Sequence, residues 1–88
     1  MANHASAKKR IRQTEKRTLR NRHVRSTVRS FVKLARAAIA AGEPEAAATA
    51  VRQAEAKIRH AVSKGVYHPR TGSRYISRLA HQAASLSS

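Results

Sequence analysis

The sequence predicts an all-α protein, a three-helix bundle with a long first helix that projects beyond it. Three observations carry that expectation. Alanine and arginine dominate, and only three glycines and two prolines interrupt 88 residues, a composition that favours helix. Apolar residues recur at spacings of three and four in three separate stretches, which is the helical period. No stretch alternates apolar and polar residues as a half-buried strand would, and no internal repeat or low-complexity tract is present. At this length the chain is a single domain over 1–88, with room for a few packed helices and little more.

Residues 1–6 read as a disordered leader, with Ser6 placed to cap the helix that follows. From about Ala7 to Ala40 nothing breaks a helix, which gives a rod about 50 Å long at 1.5 Å per residue. Its two halves differ. In the second, Val24, Val28, Phe31, Val32, Ala35, Ala38 and Ile39 form one apolar stripe, while Arg22, Arg25, Arg29, Lys33 and Arg36 form a basic stripe roughly 120° around the cylinder. The first half offers only Ile11 and Leu19 as large apolar residues, and they do not align. A helix that is polar all round has no bundle to pack on, so this half is expected to project and to fray until a partner covers it.

Gly42 suits a left-handed helix end and Pro44 the first turn of the next helix, so Gly42-Glu43-Pro44-Glu45 reads as a tight turn. Glu43 and Glu45 then lie where the helix dipole favours negative charge. The second helix is expected over 44–63, with Ala47, Val51, Ala54, Ile58, Ala61 and Val62 as its core face and Arg52, Glu55 and Arg59 paired along its surface. Gly65 ends it. Lys64 to Ser73 reads as a structured loop, and a third helix is expected over 73–86, with Ile76, Leu79, Ala83 and Leu86 facing inward.

Charge decides the class of partner. Over 8–36 the chain carries Lys8, Lys9, Arg10, Arg12, Lys16, Arg17, Arg20, Arg22, Arg25, Arg29, Lys33 and Arg36 against the single acid Glu15, and the net charge of the whole is +15. Like charges one helical turn apart repel, and solvated helix faces usually mix both signs, so an anionic partner is implied. Arginine outnumbers lysine and is the planar, bidentate donor suited to phosphate. A second phosphate-contacting patch is expected around the later loop, from Lys64, His68, Arg70, Arg74 and Arg78; the plainer reading of that region is that Tyr67 and Tyr75 seal the end of the bundle. With Phe31 these are the only aromatic residues, too few for the base-stacking platform of a sheet-based RNA module.

Other chemistries find no support. Cysteine and aspartate are absent, and His4, His23, His60, His68 and His81 are scattered without an i, i+4 pair, so no metal, cofactor or catalytic constellation is expected. No glycine-rich phosphate loop follows a strand, and no apolar run approaches a membrane span or a secretory signal. An intracellular chain in a reducing compartment is the expectation, with no homo-oligomer, no membrane partner and no small-molecule substrate. The rival reading is a histone-like architectural DNA-binding protein, although such proteins commonly dimerise or carry minor-groove wedges.

Specific residues narrow this. Ser6-Ala7-Lys8-Lys9-Arg10-Ile11-Arg12-Gln13, then Glu15-Lys16-Arg17 and Leu19-Arg20-Asn21-Arg22, resemble the opening of the bacterial small ribosomal subunit protein twenty family. Lys64-Gly65-Val66-Tyr67-His68, with Arg74 and Ser77-Arg78-Leu79-Ala80 beyond, is similar to that family's second signature. Pro69 to Ser73 and the pair Tyr75-Ile76 depart from the family pattern. The resemblance implies a three-helix bundle bound to small-subunit ribosomal RNA early in subunit assembly, touching the 5′ domain and the long stem near the 3′ end. It implies a cytoplasmic ribosome, an organellar one being the alternative although no transit peptide is seen, and adds Asn21 to the RNA-binding residues.

Overall fold

The computed structural model describes residues 3–86, with side chains from residue 5 onward. Three α-helices follow one another: α1 (Asn3–Ala41), α2 (Pro44–Ser63) and α3 (Pro69–Ser85). α1, at 39 residues, is about 58 Å long. It sets the outline of the molecule, which measures 67 × 20 × 13 Å. The radius of gyration of 17.7 Å exceeds the roughly 12 Å of a compact chain of this length, because half of α1 has nothing beside it.

Two sequence expectations are corrected. The disordered leader over 1–6 does not hold for residues 3–6, which are already helical, while residues 1 and 2 lie outside the described residues. Ser6 is therefore inside α1 rather than at its cap; Ala5 and Ala7 on either side are strong helix formers and nothing there breaks the run. The third helix starts at Pro69, not near Ser73, and ends at Ser85. Pro69 occupies the first turn, where its missing N–H costs nothing. His68 caps the helix: its backbone is extended and its Nδ1 accepts the Arg70 N–H at 3.1 Å.

The core lies between the second half of α1 and the other two helices. Val28, Ala35, Val51, Ala54, Ile58, Ala61, Val66 and Leu79 are buried together, and Val24, Phe31, Val32, Ile39, Ile76 and Ala83 pack around them. α2 is the central element, packing on α1 along one side and on α3 along another, whereas α1 and α3 barely meet. Gly72, read from sequence as a loop residue, is buried in the α2–α3 seam. A Cβ built on it would lie 2.5 Å from Val62 Cγ2 and 3.4 Å from Ile58 Cγ2, so only glycine lets α3 approach this closely.

The turns are built as the glycines foretell. Gly42 and Gly65 both have positive φ, at 78° and 76°. At the end of α2 the Val66 N–H bonds to the Ala61 carbonyl and the Gly65 N–H to the Val62 carbonyl, at 2.9 and 3.0 Å. That paired closure brings Val66 back into the core, an apolar contact the sequence reading had not assigned.

Candidate nucleic-acid interface

The projecting half of α1 carries seven of the predicted site residues: Lys8, Lys9, Arg10, Arg12, Lys16, Arg17 and Arg20. All are exposed, and they surround the axis. Ile11 and Leu19 are 57% and 63% exposed, so no apolar face tethers this part of the rod to the bundle. Thr14 and Thr18 turn their hydroxyls back onto the carbonyls of Arg10 and Thr14, leaving cations as the dominant outward groups. Glu15 forms no ion pair with them. Among the described residues one ion pair forms, Arg59 to Glu55 at 2.7 Å on α2, and Arg52 does not join it.

Where α1 enters the bundle its basic stripe acquires walls. Arg25, Arg29, Lys33 and Arg36 run along one side of an open groove of about 590 Å³ whose floor includes Val28 and Val32. The opposite wall is Tyr67 and Tyr75, whose rings meet edge to face with centroids 5.9 Å apart. Successive cations four residues apart advance about 6 Å along the helix, so the groove presents positive charge at short regular intervals. No carboxylate lines it. Arg22 lies one turn before Arg25 on the same stripe and is exposed.

The later patch is more dispersed. Arg70, Arg74 and Arg78 are exposed at spacings of four on one side of α3, away from the buried Gly72 and Leu79. Lys64 is exposed in the turn after α2. His68 is exposed as well, but its Nδ1 is committed to capping α3, which places the proton of the neutral ring on Nε2 and leaves that N–H as the group free to donate outward.

Asn21, half-buried, sits apart from the exposed cations. Its Oδ1 is buried and has no hydrogen-bond partner, because position 21 falls three residues before Val24 and seven before Val28, on the apolar stripe rather than the basic one. Sequence reasoning also missed the groove wall. Only the path of the 64–68 turn brings Tyr67 and Tyr75 opposite Arg25 and Arg29, and that path follows from the Gly65 closure and the His68 cap.

The arrangement suits an extended polyanion: the cations from Lys8 to Arg36 are spread along about 42 Å of helix, and among the described residues there is no cluster of three or more metal-ligating side chains. The family model described as "Ribosomal protein S20" matches residues 2–84. The chain belongs to the ribosomal protein S20 family. Relatives named small ribosomal subunit protein bS20 agree along nearly the whole length. That of Geotalea daltonii is 54% identical over 87 residues, covering 99% of this chain and 100% of the relative. That of Geotalea uraniireducens is 58% identical over 79 residues, covering 90% and 91%, and that of Maricaulis maris is 49% identical over 87 residues, covering 99% of each. As a member of the S20 family the chain is a structural protein of the small ribosomal subunit and is placed in the ribosome. No helix among the described residues is long and apolar enough to cross a membrane.

Proposed function

We propose that this chain binds small-subunit (16S) ribosomal RNA directly and supports its assembly by clamping several RNA segments electrostatically. The observation that carries the reading is the unneutralised charge of α1: twelve cations, one acid and, among its described side chains, no ion pair. Phosphates supply the missing counter-charge. The projecting half, from Lys8 to Arg22, inserts between RNA helices, Arg25 to Arg36 track one backbone, and Lys64, His68, Arg70, Arg74 and Arg78 touch another. Double-stranded RNA hides its base edges in a deep major groove, so a rigid basic helix reads shape and phosphate spacing rather than sequence. The role is structural, in the cytoplasmic ribosome, with no catalytic step and no cofactor.

Binding of small-subunit RNA measured against salt tests this. Neutralising several phosphates releases their counterions, so log affinity should fall linearly and steeply with log salt. A nearly flat plot removes the electrostatic clamp. Competition by duplex DNA at equal phosphate concentration discriminates the RNA reading from architectural DNA binding, which is favoured if the DNA wins.

A further inference from the structure

Two of the three aromatic rings in the chain are gathered in the groove that confines the basic stripe of α1. The third, Phe31, is already engaged, with Lys57 Nζ 5.2 Å from its ring centroid. The tyrosines divide their work. Tyr67 is half-buried and packs against the core, whereas Tyr75 is 36% exposed and is no part of that core. The two rings meet edge to face with their planes at 87°, and both line the groove.

Phosphate binding alone does not account for this site. A sugar-phosphate backbone satisfies the guanidinium and ammonium groups of one wall but offers nothing to a valine floor and a tyrosine wall. A nucleobase does, since every base has an apolar, polarisable face that stacks on an aromatic ring. Paired bases of an A-form duplex remain stacked inside it, so the base must come from an unpaired position, where it can swing out while its flanking phosphates stay on the strand. The volume, about 590 Å³, lies within the range of clefts that enclose a small organic ligand. We propose that the groove between α1 and α3 holds one unpaired RNA nucleotide, its base stacked on Tyr75 and its flanking phosphates held by Arg25, Arg29 and Lys33. This rests on the RNA-binding reading above and assigns to it a site that recognises a local break in pairing.

The test uses the full chain and two RNA hairpins that differ by a single bulged purine in the stem. Stacking of one base is worth roughly 5- to 150-fold in affinity, so the bulged hairpin should bind at least about fivefold tighter. Tyr75→Leu keeps apolar bulk but removes the ring, and should bring the ratio of the two affinities to about one; Tyr75→Phe and Tyr75→Trp should retain the preference. The chain has no tryptophan, so in Tyr67→Phe the only strong intrinsic emitter is Tyr75, and its emission should be quenched by the bulged hairpin and not by the regular one. That measurement decides the matter even if Tyr75→Leu fails to fold. Equal binding of both hairpins by the parent chain, a preference that survives Tyr75→Leu, or unquenched Tyr75 emission overturns the nucleotide site alone. Failure to bind either hairpin overturns the RNA-binding reading with it.

Discussion

Replacing Arg17, Arg20 and Arg22 together by alanine separates binding from folding. All three side chains are exposed, none forms an ion pair, and Arg17 and Arg20 lie on the half of α1 that has no neighbour. Alanine is a slightly better helix former than arginine, and the change removes repulsion among cations three and four residues apart, so thermal unfolding of the bundle should stay where it is or rise. RNA binding should respond strongly. Each lost phosphate contact lowers the slope of log affinity against log salt by about 0.7 to 0.9, so the triple variant should lose about 2 to 3 from the slope. Raising salt from about 50 to 200 mM then costs the variant roughly 20- to 40-fold less affinity than it costs the parent. Fluorescence anisotropy with labelled small-subunit RNA at four or five salt concentrations measures the slope, and circular dichroism melting measures the fold. An unchanged slope, or a melting transition lowered along with affinity, would refute the division of α1 into a projecting contact segment and a packed segment.

Ile58 is fully buried at the centre of the core, so Ile58→Ala should cost about 2 to 5 kcal/mol of stability in chemical denaturation yet leave the salt slope of the folded fraction unchanged. Gly72→Ala gains up to about 1 kcal/mol of helix propensity but drives a methyl against Val62, whose branched side chain has little rotameric freedom in a helix, at an overpacking cost of about 1 to 3 kcal/mol. A net loss should follow, and a melting temperature above the parent's would show that α3 is not seated on α2 as described. Backbone amides of 7–20 should exchange rapidly in the free chain, because a helix without tertiary contacts opens locally at little cost, and should become protected when RNA is added. Slow exchange there without RNA would contradict the isolation of that half.

The fold was legible wherever helical period and chain-breaking residues agree. Val24, Val28 and Ala35 fall on the predicted face of α1, Ala47, Val51, Ala54, Ile58 and Ala61 on that of α2, and Gly42-Glu43-Pro44 makes the predicted turn. Errors cluster at 64–73, where glycine and proline carry two meanings. Pro69 opens a helix as readily as it interrupts a loop, and Gly72 suits a turn as well as a close seam between helices. Neither ambiguity yields to local pattern, since the deciding facts are the His68 cap and the position of Val62 across the seam. Val66 was findable in principle: an apolar residue directly after a helix-ending glycine commonly folds back onto the last turn. The predicted cations of the site are exposed where their spacing puts them, but which of them share a groove depends on the third helix, and no spacing within α1 encodes that.

The groove itself follows from the size of residues that would never touch RNA. Along α2, Ala47, Ala54 and Ala61 recur every seven residues and are wholly buried, as is Ala35 on α1. Side chains this small let two helix backbones approach closely. Gly72 does the same for α3 against α2. No comparable small residue draws α1 and α3 together, so the two close seams along α2 leave the third side of the bundle open. Val28, Val32, Tyr67 and Tyr75 cover its floor and one wall without closing it, and the basic stripe of α1 forms the other. A closed third seam would have left Arg25, Arg29, Lys33 and Arg36 on a convex surface in bulk water, where salt screens them most. Set along a groove with an apolar floor, they would meet the proposed RNA ligand partly withdrawn from solvent, where each contact with an anion is worth more.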